Sequence, residues 1–338
     1  MGKGKDRAIV GLDIGTYAMK CVEVASEGDK IRLVRASILP SSDSAEQLIK
    51  AIDILLDKSQ LSLKKVRISI SGGSSLLIRR IQLPKMTPSE LKGAIRFEAE
   101  SHIPFPVDDC HLDFQILGES PDKKNMTVLL VAAKKDFIQE RLKPLITLGV
   151  RPEVIDVDIF CLINAFGMLG PDQNEPTFAL LNIGHQVSSF AIIQDKLPYF
   201  VREIPFGSKG VTQAIQTIKG VAEPDADAMK IHRPAEAGLD FKRLIHEGFE
   251  PVMDEIRHSI DFFENETGEE IKNIWLSGGG ALCPRTAEIL SEELGQVFKL
   301  WDNTQKMEIF GSVDHGFLAE HSAELNVALG MALRGVRR

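Results

Sequence analysis

The stretch AIVGLDIGTYAMKCVEV at positions 8–24 reads as a strand running into a tight turn at Asp13-Ile14-Gly15-Thr16 and a returning strand. FALLNIGHQVSSFAII at 178–193 repeats that pattern around Asn182-Ile183-Gly184-His185, and Asn182 stands 169 positions after Asp13 in a chain of 338. The segments downstream of the two copies also match. After the first hairpin come a strand, IRLVRASILP (31–40), a helical stretch, SAEQLIKAIDILLDKSQ (44–60), and a strand ending in glycines, VRISISGG (66–73). After the second come KLPYFVREIPFG (196–207), a helical GVTQAIQTIKG (210–220), a longer helical insert and the strand IKNIWLSGGGAL (271–282). Three strands, a helix and a parallel strand, used twice, predict two α/β domains facing each other across a cleft. Glycine turns at strand ends bring backbone N–H groups close to a phosphate, because no Cβ holds the ligand away. The expectation is a nucleotide site.

The two turns differ in one group. Asp13 ends an apolar strand, where an ionised carboxylate needs a strong partner, and hydrated Mg²⁺ is such a partner because it needs only one or two carboxylates beside substrate phosphates. Gly15 and the backbone of Thr16 to Ala18 then lie against the terminal phosphates, and Lys20 returns a positive charge to them. A plain hairpin with an exposed Lys20 is the alternative for this turn alone; its repetition at half-chain spacing favours phosphate. In the second turn, Asn182, Gly184, His185 and Gln186 bring no charge to a metal, so binding is expected to survive there while hydrolysis suffers. A third turn, Ser277 to Leu282, carries Gly278, Gly279 and Gly280, which let the backbone approach an adenine or an α-phosphate ahead of a helix expected at 284–294.

Residues 84–154 belong to neither repeat. They open with PKMTPSELKGAIRFEAESHIPFP, in which Thr87 caps a helix, Pro88 suits its first turn and Glu90 completes a capping box. Leu91, Ala94, Ile95, Ala99 and His102 share one face, and Pro104 ends the helix. Two strands (111–118 and 126–135) and a helix (137–148) complete an α+β insertion, which is either one more packing layer or a docking surface. Val252, Ile256, Ile260 and Phe263 recur at helical spacing and are assigned to the core.

Composition sets outer limits. The chain is 43% apolar and 26% charged with net charge −8, which supports sizeable cores and gives no electrostatic case for nucleic acid. Its longest stretch free of Asp, Glu, Lys and Arg is 19 residues, Pro176 to Gln194, and it is broken midway by Asn182, Gly184, His185 and Gln186, so it does not read as the continuous apolar run of a membrane span. Asp13 interrupts the first apolar stretch before a signal-peptide core can form. The four cysteines are far apart and show no zinc spacing, so they are expected as buried thiols in a reducing compartment, by default the cytoplasm. Neither a P-loop nor a dinucleotide fingerprint is present.

The three turns together, G-x-D-I-G-T with a lysine seven residues after the aspartate, then N-I-G, then S-G-G-G-A, resemble the actin, Hsp70 and sugar-kinase superfamily. Within it the chain resembles the PilM family of type IV pilus assembly proteins. FEAESHIPFPVDDCHLDFQILG (97–118) is similar to that family's E-A-E-x-x-I-P-F-P signature, and VIDVDIFCLINAF (154–166) and ELNVALGMALR (324–334) also fit. The resemblance covers about 8–334. It implies an α/β duplicated actin-like ATPase fold with an inserted FtsA-like α+β subdomain. Domain 1 would span 1–83, completed by 155–175 and 323–338, the insertion 84–154, and domain 2 176–322.

The resemblance also implies ATP and Mg²⁺ in the cleft. By position Asp13, Gly15, Thr16 and Lys20 match the first phosphate turn, with Asp13 on the metal; Asn182 and Gly184 match the second, and Gly278, Gly279 and Gly280 the adenosine turn. Ala226-Asp227-Ala228-Met229-Lys230 resembles the A-E-x-x-K nucleoside-contacting helix, with Asp227 one methylene shorter than the usual glutamate. Asn182 replaces an aspartate common in the superfamily, which implies slow or absent hydrolysis, at most a weak ATPase. The family resemblance further implies a cytoplasmic scaffold at the inner face of the membrane. It would bind the N-terminal tail of a PilN-like membrane protein near Ile103, Phe105 and Leu112, and connect to other pilus proteins and motor ATPases. The alternative from the same superfamily is a small-molecule kinase, with Asp156 or Asp158 as the candidate base. A filament-forming cytoskeletal protein is a third reading.

Overall fold

The computed structural model describes residues 8–27, 30–56, 65–120, 123–171, 175–232, 240–310 and 313–336. The two repeats form two sheets built on the same plan. In the first half, β1 (Ile9–Ile14) pairs antiparallel with β2 (Ala18–Glu27) and parallel with β4 (Val66–Ile70). With β3 (Lys30–Pro40), β8 (Val154–Val157) and β14 (Glu308–Ile309) the order is β14-β3-β2-β1-β4-β8. In the second half, β9 (Thr177–Ile183) pairs antiparallel with β10 (Ser188–Gln194) and parallel with β12 (Asn273–Ser277). Adding β11 (Leu197–Ile204) and β13 (Val297–Leu300) makes the order β11-β10-β9-β12-β13. β1 and β9 are buried almost along their whole length, which is why both read as continuous apolar runs rather than alternating ones.

Two helices pack between the sheets. α4 (Asp158–Leu169) and α9 (His315–Leu333) cross where Gly330 leaves no room for a side chain: a Cβ there would stand 1.9 Å from the Cys161 carbonyl oxygen. α9 crosses β1 in the same way, at Gly11, whose Cβ would stand 1.9 Å from the Ala328 oxygen. From α4, Phe166 reaches the second sheet and meets the rings of Phe178, Trp275 and Trp301, with centroids 5.1, 5.7 and 5.0 Å away. The helix pair thereby ties the halves together at the base of the cleft. The stripe expected for the core, Val252, Ile256, Ile260 and Phe263, is buried on α7 (Phe241–Thr267). All four cysteines are buried free thiols.

The third layer is an antiparallel sheet of order β5-β7-β6, made of β5 (Leu76–Pro84), β6 (Cys110–Glu119) and β7 (Asn125–Lys134). α2 (Pro88–Glu100) covers it with Leu91, Ile95 and Ala99. Its N-terminus is the expected capping box: Glu90 N–H donates to Thr87 Oγ1 at 3.3 Å and Thr87 N–H to Glu90 Oε2 at 2.7 Å. Three pairings differ from the domain edges expected from the sequence. All of β5 but its last residue falls within 1–83, yet its hydrogen bonds go to β7. α3 (Lys135–Thr147) falls within 84–154, but its Leu145 and the nearby Val150 pack with Val10, Leu12 and Ile52 of the first half. β14 falls within 176–322, but pairs with β3. Strand partners and helix docking are long-range facts that local pattern does not carry. The helix expected over 44–60 is seen as α1 (Ala45–Leu56); positions 57–60 lie outside the described residues.

Candidate functional site

The repeat holds down to single register positions. Asp13 faces Lys20 on β2 and Ser69 on β4, while Asn182 faces Ser189 on β10 and Ser277 on β12. Each hairpin narrows at its glycine for one reason. A Cβ on Gly15 would sit 2.7 Å from the Ala18 oxygen, and one on Gly184 would sit 2.4 Å from the Val187 oxygen. The turns therefore close tightly, and the Gly184 N–H donates to the Val187 oxygen at 3.1 Å within its own hairpin.

Between them lies a cavity of about 730 Å³. Asp13, Gly15, Thr16, Lys20, Asn182, Gly184, Lys230, Gly278, Gly279 and Gly280 all line it, as does Asp158. The cavity falls within the range of roughly 300–1,000 Å³ common for small-molecule sites. Tyr17 and His185 meet across its mouth, ring centroids 5.0 Å apart, so the two hairpin tips touch through their side chains. Hairpin register does not predict this meeting, because it places partners within a hairpin and says nothing of contacts between hairpins.

Asp13 and Lys20 form a buried ion pair at 3.2 Å. Burial works most strongly on the Lys20 ammonium and against it, but the carboxylates of Asp13, Glu324 and Asp158 together outweigh it and hold the lysine above its usual range. Asp158, at the start of α4, is buried behind them, and its Oδ1 has no hydrogen-bond partner. Burial first and the Asp13 charge second push its carboxyl up to about 7. A buried carboxylate oxygen without a partner, on a cavity-lining residue that feels the charge of a second cavity-lining carboxylate, is a donor set suited to a hydrated divalent cation.

At the other end of the cavity α6 (Glu223–His232) supplies Lys230 and Ile231, and α5 (Lys209–Lys219) packs behind it. Lys230 Nζ donates to Thr212 Oγ1 at 2.7 Å and to Asp227 Oδ1 at 2.8 Å, and Thr212 donates to the same Asp227 oxygen at 2.6 Å. Burial raises the cost of ionising Asp227, yet these bonds outweigh it and hold its carboxyl below the ordinary range. Lys230 lines the cavity, whereas Asp227 stands behind it as the lysine's anchor. Burial, and then the Lys230 charge, lower the His185 imidazole. In the third turn, Gly278 has φ +86, and a Cβ on Gly280 would lie 2.3 Å from Ile183 Cγ2. Two of the three glycines thus already answer to packing against β9, and Gly279 faces Glu324 of α9.

The two aspartates offered as bases part company. Asp158 lines the cavity, while Asp156 accepts from Arg334 at 2.6 Å on β8, away from it. Ile103 is buried in the core of the three-stranded layer; Phe105 and Leu112 pack against that core half-buried, with Lys134 Nζ 5.3 Å from the Phe105 ring centroid. The turn Ser71-Gly72-Gly73 and the α9 residues Glu320, His321 and Glu324 also line the cleft, beyond the site residues that the sequence nominates. The first of these had a signal, since VRISISGG occupies in the first repeat the place that WLSGGG holds in the second.

The model of the family described as type IV pilus assembly protein PilM matches residues 11–336. The chain belongs to that family. It is similar to the chain of a structure described as a PilM-PilN type IV pilus biogenesis complex, with 27% identity, TM-score 0.82, and coverage of 98% of this chain and 99% of that one. It is also similar to the ethanolamine utilization protein EutJ from Carboxydothermus hydrogenoformans, at 13% identity and TM-score 0.56, covering 99% and 92% of the two chains. This PilM-family chain has the duplicated actin-like α/β fold. Among its described residues no helix is long and apolar enough to cross a membrane.

Proposed function

We propose that this chain is an ATP-binding scaffold of type IV pilus assembly whose nucleotide closes the cleft and sets the affinity for a partner, with hydrolysis slow or absent. The observation that carries the reading is the pair of matching hairpins on one cavity, with a carboxylate at Asp13 and an amide at Asn182. Asp13, with Mg²⁺, and the amides around Gly15, Thr16 and Gly184 would hold the phosphates; Lys20 would neutralise them. Lys230, anchored by Asp227, and the turn Gly278 to Gly280 would hold the nucleoside. Asn182 can accept a hydrogen bond from a metal-bound water but cannot take a proton from it. Turnover, if present, falls to Asp158, the buried acid of the cavity with a carboxyl near 7. The same residue is what a small-molecule kinase would use as its base.

The partner in this reading is the N-terminal tail of a PilN-like membrane protein, which would keep the chain at the inner face of the cytoplasmic membrane. Similarity over nearly the full length to a chain solved in a PilM-PilN complex supports it. Phe105 and Leu112, half-buried on the inserted layer, are the proposed contacts, with Ile103 beneath them.

Calorimetric titration with ATP and Mg²⁺, followed by ADP assay with a panel of sugars and alcohols, tests the first part. Binding with almost no ADP is expected. Substrate-dependent ADP release would replace the scaffold by a kinase. For the partner, a tail peptide is expected to lose affinity when Phe105 is changed to Ala; unchanged affinity would move the contact elsewhere.

A further inference from the structure

Glu203 sits near the end of β11, in the second half, but its carboxylate is bound to the first half. Its Oε2 accepts from Gly72 N–H at 3.0 Å and from Gly73 N–H at 2.7 Å. Successive N–H groups converge on one oxygen because Gly72 is at φ −143, ψ 2 and Gly73 is left-handed at φ +49, the kind of turn whose amides form an anion nest. The nest is filled by a side chain from across the molecule. Its other oxygen, Oε1, is buried with no partner. The turn is wedged on its far side too, since a Cβ on Gly72 would stand 2.8 Å from the Phe137 ring of α3.

This contact stands in a wall between two spaces. Ser71, Gly72, Gly73 and Phe137 line the main cavity. Gly73 and Glu203 line a second one of about 490 Å³, between β5 and β11. We propose that Glu203 is a proton-operated latch between the two halves: it positions the Ser71-Gly73 turn that walls the cleft, and releases that turn when its carboxyl ionises.

The groups around Glu203 explain the direction. Its carboxyl is raised from 4.5 to about 7: burial is the largest influence and the Asp158 charge at the start of α4 adds to it, while the two amides and Arg141 of α3 oppose the rise. On its own sheet its register partner is the neutral Ser189 of β10. Arg79 and Arg80 of β5 and Glu266 of α7 share the second cavity, where Arg80 stacks 4.0 Å over Tyr199, and Arg202 pairs with Glu255 of α7. A carboxyl that is raised in the closed form favours closure when protonated. That preference is complete below about 4.5, fades as pH climbs, and is spent above about 7. In the open form the ionised group regains water.

Amide hydrogen exchange on the full chain without nucleotide reads the latch directly, once the base-catalysed intrinsic rate is divided out. Protection of the Gly72 and Gly73 amides is expected to fall about tenfold from about pH 6 to about pH 8 in the unmodified protein. Glu203→Gln keeps an acceptor oxygen and should show no such fall, whereas Glu203→Ala should lose protection at every pH. A pH course shared by the unmodified protein and Glu203→Gln would overturn the proposal, as would full protection in Glu203→Ala. If the alanine variant does not fold, the comparison with glutamine decides. The measurement needs no nucleotide, so it stands apart from the nucleotide reading.

Discussion

Asp13 and Asn182 occupy one register position in two copies of a hairpin and differ by a charge. If the cleft holds Mg²⁺ and ATP as proposed, Asp13→Ala will weaken magnesium-dependent ATP binding by about tenfold or more, the scale of one contact to a charged group, and Asn182→Ala by less. Equal, negligible effects in titration calorimetry would show the cleft to be misassigned. Lys230 tests the other end. Its ammonium is buried on Thr212 and Asp227, so Lys230→Ala leaves a partly buried carboxylate without its partner and is expected to cost about 3 kcal/mol in denaturant unfolding. Loss of nucleotide affinity with unchanged stability would instead make Lys230 a ligand contact alone. The hairpin residues were legible because glycine, acid and spacing recur within a few positions. Tyr17 and Glu203 were not, because each has its main contact more than a hundred positions away.

α9 shows what a central helix demands of its neighbours. Gly11 on β1 and Gly330 on α9 are both points where backbone meets backbone with no space for a methyl group. Gly11→Ala and Gly330→Ala should each cost at least about 2 kcal/mol, read as a shift in the urea midpoint at constant slope. The same change at Gly93, on the outer face of α2 with nothing within 4 Å of a Cβ, should be neutral or stabilising. α2 was readable with its cap, since a capping box joins residues three apart. The place of β5 in the inserted layer is not legible in the same way: its hydrogen bonds to β7 span more than forty positions, and no periodicity names a strand's partner.

For the molecule as a whole, the nucleotide reading predicts linkage between cleft and partner. A coupling of about 1–3 kcal/mol would change the affinity for a PilN-like tail peptide by about 5–150-fold between the ATP-loaded and empty protein, and ATP affinity by the same factor with peptide bound. Fluorescence polarisation of a labelled peptide, with and without ATP and Mg²⁺, measures it. An affinity blind to nucleotide would leave the cleft and the docking surface uncoupled.

The duplication, the three glycine turns, the capped helix of the insertion and the family signature are all written in the order of residues, because each depends on neighbours close along the chain or on a period that can be counted. Folding settled the rest: that the two turns line one cavity, that Asp158 and not Asp156 lines it, that β5 pairs with β7 and β14 with β3, and that Glu203 fills an amide nest in the opposite half. These are meetings between distant segments, fixed by which buried surfaces and open hydrogen bonds find each other when the halves pack around α4 and α9.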